Sequence, residues 1–151
     1  KMINEIEYLT CFKIESANAA SKIRALIKNC SERLDAPFDG EESITLYADL
    51  EAGISGSMSS ALLPEKIAPV IDHFWNNEKD KSEEIYNNIL PLINFENRQC
   101  GFRATKTVMK EGGVIKSDFC RDPIKPLDQD TKNLLLNFAK RYDLLTYKWG
   151  K

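Results

Sequence analysis

The chain has 151 residues, 42% of them hydrophobic, which is enough for one domain with a hydrophobic core. Its 21 Lys and Arg and 23 Asp and Glu residues give a formal net charge of −2, with both signs mixed along the sequence. No basic block could follow a phosphate backbone, so we expect no nucleic-acid partner. No apolar run approaches the roughly 20 residues of a membrane-spanning helix. We therefore expect a cytoplasmic protein with no membrane partner.

Several common catalytic groups are poorly supplied. His73 is the one histidine in the sequence, which leaves little for a catalytic triad or a histidine-ligated zinc site. Cys11, Cys30, Cys100 and Cys120 are widely separated and form no CxxC motif, so we predict reduced thiols in the core. Glycine-rich nucleotide-binding motifs are also missing. Any chemistry must come from lysine, carboxylates, hydroxyls or the backbone.

The first half of the chain alternates between strand and helix patterns. Residues Tyr8–Ile14, 34–40 and 54–60 read as short strands, of which the first should be buried. Residues 17–28, 41–53 and 64–77 follow them with helical spacing. In the second of these helices Ile44, Tyr47 and Ala48 are predicted to share one side, with Gly53 just past the end. The resulting βαβαβα order predicts parallel strands joined by right-handed crossovers.

The second half of the chain shows helical patterns alone. Residues 79–93 and 97–113 have helical spacing, and the second helix should end at Gly112 and Gly113. Asp128 is placed to cap the last helix. We therefore predict a (β/α) segment over residues 1–77 and a helical extension over residues 78–151.

Several strings in this order are similar to a known family. FKIES, APFDGEESITLYADLEAG, RATKTVMKEGGVI and RDPIKPL resemble the C-terminal half of the dihydrodipicolinate synthase and N-acetylneuraminate lyase family. The resemblance implies an α/β fold, namely about strands 6 to 8 of a (β/α)8 TIM barrel plus a C-terminal helical extension. It also implies a Schiff base between a lysine on the sixth strand and a 2-keto acid. The strings look most like the branch that dehydrates 2-keto-3-deoxy sugar acids such as L-2-keto-3-deoxyarabonate.

The lysine that matches the family position is Lys13. An amine attacks a ketone only when unprotonated, and burial among apolar neighbours such as Phe12 and Ile14 disfavours the ammonium form of a lysine. The iminium then withdraws electrons, so neither a metal nor a cofactor beyond the covalent imine is expected. Without the resemblance, the favoured interpretation of Lys13 is an edge lysine that protects a sheet, because such lysines are common.

Substrate-binding residues are expected where strands end, because barrel active sites lie at the carboxyl ends of the strands. The predicted set is Asp39, Gly40 and Glu41 after the second strand, and Gly56, Ser57 and Ser59 at the third. Two alternatives stay open. Glu41 and Glu42 could instead favour the start of the next helix electrostatically, and the small residues could mark a tight packing site.

Length limits the functional prediction. A full barrel takes about 250 residues, and the resemblance implies that five strands, with the carboxylate pocket and a proton-relaying tyrosine, have no counterpart here. Three parallel strands would leave open edges. We therefore expect a fragment that needs the missing N-terminal half, forms a homo-oligomer, and is inactive alone. The implied activity is that of a lyase on a small 2-keto acid. A pyruvate-type aldolase, a dihydrodipicolinate synthase and a noncatalytic, self-associating fragment are the alternatives.

Overall fold

The computed structural model describes residues 2–30 and 32–151. In this part of the chain the strands Cys11–Ile14 (β1), Ala36–Asp39 (β2) and Gly56–Ser57 (β3) form one parallel sheet in the order β1-β2-β3. The parallel arrangement confirms the prediction from the βαβαβα pattern. All three strands therefore end at the same edge of the sheet, where the predicted site residues lie.

Helices precede, connect and follow the strands in the described part of the chain. Their bounds are α1 Met2–Glu5, α2 Ala19–Cys30, α3 Leu46–Glu51, α4 Pro64–Trp75, α5 Lys79–Phe95, α6 Arg103–Glu111, α7 Gln129–Arg141 and α8 Leu145–Lys148. A π-helical turn, Glu96–Cys100, continues α5. The described residues include no helix that is both long and apolar enough to cross a membrane.

The first strand is shorter and more exposed than the sequence predicts. It begins at Cys11, and Tyr8 is 89% exposed. Along β1 exposed residues alternate with half-buried ones. The physical reason is that β1 lies at the end of the strand order, so β2 alone pairs with it. The prediction that the first strand is buried is thus wrong for this chain.

Helix α3 also differs from the prediction. Its buried residues are Leu46, Asp49 and Leu50, whereas Ala48 is exposed. The helix begins late because the preceding residues form turns, and this changes which side chains face inward. Gly53 follows the helix with φ of 99°, as expected for a glycine just past a helix end.

The chain divides into two units. The first comprises the residues up to Ser59 together with Val70–Tyr86, and the second comprises Ser60–Pro69 together with Asn87–Lys151. In the first unit the side chains of Ile23, Leu46 and Val70 are fully buried; in the second those of Leu62, Leu63, Leu92, Ile93, Val108 and Leu135 are. The predicted boundary after residue 77 stays a prediction.

Two predictions for the second unit can be compared with the structure. The carboxylate of Asp128 accepts a hydrogen bond from the Thr131 amide at 2.9 Å, which confirms the predicted cap of α7. The cysteines differ from the prediction of core thiols. In the second unit Cys100 is buried and Cys120 is half-buried. In the first unit Cys30 is half-buried and Cys11 is exposed on the edge strand.

Gly112 permits close packing of the last helix of the second unit. A Cβ at this position would overlap the carbonyl oxygen of Thr146 and would lie 2.8 Å from the carbonyl carbon of Tyr147. Because both are backbone atoms, they cannot move aside as a side-chain end can. We expect Gly112→Ala to lower the free energy of unfolding by at least about 2 kcal/mol in urea denaturation.

Gly101→Ala is the matched control for this substitution. Gly101 has a positive φ of 59°, but nothing lies within 4 Å of a Cβ built there. Its ψ of −150° lies where essentially only glycine is found, so an alanine there should cost backbone strain of about 1–3 kcal/mol without any steric overlap. Because Gly112 itself has an ordinary φ of −79°, a loss in Gly112→Ala reports the overlap alone, and a loss near zero would show that close packing at Gly112 is unimportant.

Candidate active site

The candidate active site lies at the carboxyl ends of the three strands. The sheet register places Lys13 beside Phe38, Ile14 beside Asp39, and Asp39 beside Ser57. Strand ends that share one edge bring distant parts of the sequence together, as in parallel barrels.

Lys13 is more exposed than predicted. Its side chain is 34% exposed, and its Nζ lies 3.0 Å from Glu15 Oε2. The expectation of burial among apolar neighbours is therefore wrong for this chain. The physical reason is that Lys13 stands on the edge strand, where no further strand of the described chain covers it.

Glu42 and Gly40, in the loop after β2, lie close to Lys13. Burial raises the pKa of the Glu42 carboxyl, and Lys13 partly offsets this because its positive charge favours the ionised form. Glu42 Oε2 is buried without a hydrogen-bond partner among the described residues. At Gly40 a Cβ would lie 2.8 Å from both Lys13 Cγ and the carbonyl oxygen of Ile14. Glycine thus allows the loop after β2 to approach the lysine closely.

Asp39 organises this loop from the end of β2. Its side chain is fully buried. Oδ1 accepts a hydrogen bond from the Glu41 amide at 3.3 Å, and Oδ2 accepts one from the Ser43 amide at 3.2 Å. Oδ2 also accepts hydrogen bonds from the hydroxyls of Ser57 at 2.7 Å and Ser43 at 3.4 Å. The carboxylate therefore ties the end of β2 to the end of β3 and to the start of the connection to α3.

The loop between β2 and α3 holds a backbone conformation that is unusual for its residues. Glu42 and Ser43 have positive φ angles of 53° and 66°, although neither is a glycine. Such residues persist only where the surroundings fix them, and they are frequent at functional sites. Here Tyr86 contributes, because its hydroxyl donates to the Ser43 and Ile44 carbonyl oxygens at 3.1 and 2.5 Å.

Two further ionisable groups, the hydroxyl of Tyr86 and the carboxyl of Asp49, lie beneath this loop. Burial raises the pKa of Tyr86 to about 12. Asp49, on α3, is fully buried, and its Oδ2 accepts a hydrogen bond from the Thr45 hydroxyl at 2.8 Å. Its carboxyl lies within hydrogen-bonding reach of Asp39, and burial is the main reason that its pKa rises to about 6. The site thus contains a buried pair of carboxyl groups.

The structure brings the sequence-predicted residues to one edge of the sheet, but in different environments. Glu41 is half-buried, and the Ser57 hydroxyl already bonds to Asp39. Gly56 packs against the ring of Phe38, where a Cβ would come within 3.0 Å. Ser59 Oγ is buried and has no hydrogen-bond partner in the described part of the chain. The substrate-binding roles assigned to them, to Asp39 and to Gly40 stay predictions.

Sequence reasoning missed Ser43, Asp49 and Tyr86. Ser43 stood next to the predicted residues without a motif of its own, and Asp49 and Tyr86 lie within helices. A charged residue on the inward side of a short apolar helix is the signal that could have revealed Asp49. Residues 2–30 and 32–151 contain no group of at least three His, Cys, Asp or Glu residues arranged to hold a metal ion.

Comparison with known proteins gives a consistent result. Residues 1–141 match the dihydrodipicolinate synthetase family. An L-2-keto-3-deoxyarabonate dehydratase from Azospirillum brasilense is 43% identical over 150 residues, a match that covers 99% of this chain and 48% of that protein. The chain thus spans about half the length of this curated relative.

Solved structures are similar in fold. Dihydrodipicolinate synthase from Aquifex aeolicus superposes with a TM-score of 0.81 at 21% identity, covering 93% of this chain and 47% of that one. N-acetylneuraminate lyase from Fusobacterium nucleatum superposes with a TM-score of 0.79 at 18% identity, covering 92% and 47%. At these identities the two structures speak for the fold alone. The match over residues 1–141 leads to one conclusion: the chain belongs to the dihydrodipicolinate synthetase family.

Proposed function

We propose that this chain supplies the lysine-bearing half of a Schiff-base lyase for 2-keto acids. The preferred reaction is dehydration of a 2-keto-3-deoxy sugar acid such as L-2-keto-3-deoxyarabonate. The observation that carries this choice is the 43% identity to the Azospirillum brasilense dehydratase along nearly the whole chain. In this proposal the three strands correspond to strands 6 to 8 of a (β/α)8 barrel.

Lys13 is the proposed nucleophile. Its Nζ forms a bond to C2 of the keto acid, and the carbonyl oxygen leaves as water, giving an iminium. A base then removes a proton from C3, and the electron pair moves to the iminium nitrogen. The resulting enamine returns this pair to expel the C4 hydroxyl, which leaves as water after protonation. Hydrolysis of the remaining iminium frees Lys13 and the unsaturated product.

Glu42 supports this proposal as a group that can hold a proton beside the amine. Burial raises the pKa of its carboxyl, and the charge of Lys13 acts on it directly. A carboxyl whose pKa moves toward neutrality can exchange protons at working pH more readily than an ordinary one. Ser57, Ser59 and Glu41 would face the hydroxyl groups of a sugar acid, with which hydroxyls and carboxylates form hydrogen bonds.

The exposure of Lys13 suggests what the missing half of the barrel would contribute, namely a strand that covers the amine. With β1 at the edge of the sheet, the lysine is 34% exposed and bonded to Glu15. A neighbouring strand from an N-terminal half would pair with β1 and remove water from the amine, which favours the unprotonated nucleophile. The same half would supply the pocket for the substrate carboxylate. We propose this half as an obligatory partner and expect the isolated chain to be inactive.

Two alternatives share or replace this chemistry. The same iminium supports C3–C4 bond cleavage, so a pyruvate-type aldolase or a dihydrodipicolinate synthase is the alternative within the family. The second is a noncatalytic, self-associating chain, which the exposed ion pair of Lys13 with Glu15 favours. Assembly as a homo-oligomer in the cytoplasm completes the proposal.

Trapping of the imine tests the nucleophile. The chain is combined with a separately expressed N-terminal half of a family member and incubated with pyruvate and sodium borohydride. Reduction of the imine should leave a stable mass increase, which peptide mass spectrometry should locate at Lys13. Lys13→Arg should abolish the adduct, because a guanidinium does not form an imine under these conditions.

Lys22→Arg is the matched control, since Lys22 lies on α2 and bonds to Ser16 outside the site. It should label as the unchanged chain does. A Lys13→Arg variant that labels equally well would contradict the proposed nucleophile. Substantial dehydration by the isolated, monomeric chain would contradict the need for the second half.

Gly40→Ala tests the close approach of the loop to the lysine. The added Cβ would lie 2.8 Å from Lys13 Cγ and 2.9 Å from Glu15 Cβ, so the lysine or the loop must move. We expect the rate of adduct formation with pyruvate to fall several-fold. Gly53→Ala is the control, because Gly53 has a positive φ of 99° and its Cβ would meet Ile27 instead. It should lower stability with little effect on labelling of the folded protein; equal labelling rates in both variants would contradict the account.

A further inference from the structure

The buried carboxyl pair beneath the site loop raises the question of where its protons lie. Asp39 and Asp49 are both fully buried, and they lie within hydrogen-bonding reach of each other. Two ionised carboxylates at this distance would repel each other strongly in a medium that screens charge poorly. One of the two should therefore keep its proton to a higher pH than an ordinary carboxyl does.

The hydrogen-bond donors around the pair identify the protonated member. Both oxygens of Asp39 accept hydrogen bonds from protein groups, namely the amides of Glu41 and Ser43 and the hydroxyls of Ser43 and Ser57. Such donors favour the ionised form. Asp49 Oδ2 accepts from Thr45, whereas Asp49 Oδ1 is buried and has no hydrogen-bond donor among the described residues. A proton on Asp49 would turn this oxygen from an unsatisfied acceptor into a donor.

We propose that in mildly acidic solution Asp49 is a neutral carboxylic acid that donates a hydrogen bond to Asp39, and that this pair positions residues 40–43 and Ser57 for the reaction. The first part concerns the fold of the site, and the second part rests on the proposed function. Asp49 is a positioning residue here, because it reaches Lys13 only through Asp39 and the loop.

The groups around Asp49 determine what its ionisation would do. Asp39 on β2 and Glu41 in the loop are the charged groups that raise its pKa, and both are acidic. From α5, the hydroxyl of Tyr86 faces the same carboxyls, and their charges raise its pKa further. When Asp49 loses its proton, repulsion from Asp39 should loosen the hydrogen bonds that Asp39 accepts. The loop that carries Gly40 and Glu42 would then lose part of its support.

The pair predicts how stability depends on pH. The pKa of Asp49 is about 6 in the folded chain, above its ordinary value of 3.8. The folded state therefore binds this proton more tightly than the unfolded state does. The stabilisation is fully present below about pH 3.9 and is lost as the pH rises through about 6. Asp49→Asn keeps a donor without titration, so the wild-type stability should fall relative to the variant between pH 4 and pH 7 in urea denaturation.

Carbon-13 NMR of the full chain tests the assignment of the proton without any substrate. The Asp49 carboxyl carbon should titrate with a midpoint near 6. Asp39→Asn replaces the partner charge by an amide donor, so the midpoint should fall; it should stay above about 3.9, because burial, the main cause of the raised pKa, remains. Asp72→Asn removes an exposed aspartate on α4 and serves as the control. A midpoint near 4 in the unchanged chain, or no change in Asp39→Asn, would overturn the proposal.

Two readouts separate positioning from the proposed function. The amides of Glu41 and Ser43, which donate to Asp39, should shift with the Asp49 midpoint and should not do so in Asp49→Asn. With the N-terminal half present, the ratio of wild-type to Asp49→Asn trapping rates with pyruvate should fall several-fold from pH 5 to pH 7. Taking the ratio cancels the titration of the lysine itself. Chemical shifts of these amides that do not follow the Asp49 midpoint would overturn the positioning role. A ratio of trapping rates that is the same at pH 5 and pH 7 would do so as well. Absence of any adduct at every pH would instead contradict the proposed function and leave the NMR test intact.

Discussion

The site depends on the need of a buried carboxylate for hydrogen bonds. Asp39 is fully buried at the end of β2, where amides and hydroxyls from two neighbouring segments supply the hydrogen bonds that a buried carboxyl group needs. This requirement fixes the loop after β2, including the positive φ angles of Glu42 and Ser43, and ties it to Ser57 on β3. The strained loop and the strand ends are thus one hydrogen-bonded unit.

The same unit determines the surroundings of Lys13 on one side, while its other side lacks a covering strand in the described chain. Gly40 lets the loop pass within contact distance of Lys13, and the positive charge of Lys13 acts on the Glu42 carboxyl through space. On its other side β1 has no pairing strand in the described chain, and the lysine bonds to Glu15 instead. In the proposed function, a chain that spans about half of its curated relative supplies one half of a site. We infer that the proposed chemistry needs the other half to exclude water.

Local sequence patterns predicted much of the fold, because each βα unit carries its own apolar spacing and its own stop signals. Such patterns predicted the parallel strands, the helices between them and the Asp128 cap. They failed where contacts with residues far away in the sequence determine the burial or the role of a side chain. The burial of Lys13 depends on what pairs with β1, and Tyr86 acts on Ser43, which lies 43 residues earlier in the sequence. Asp49 looked like an ordinary polar position on α3 because its partner Asp39 lies on another element.

The central claim is that the carboxyl ends of the strands form half of a site for a 2-keto acid. Its most direct test is a pyruvate titration of the nitrogen-15-labelled chain, assembled with an N-terminal half and followed by amide chemical shifts. The account predicts saturable shifts at Gly40, Glu42 and Ser57, and unchanged amides in the second unit, for example at Phe119. Shifts confined to the second unit, or none at the strand ends at saturating pyruvate, would contradict it.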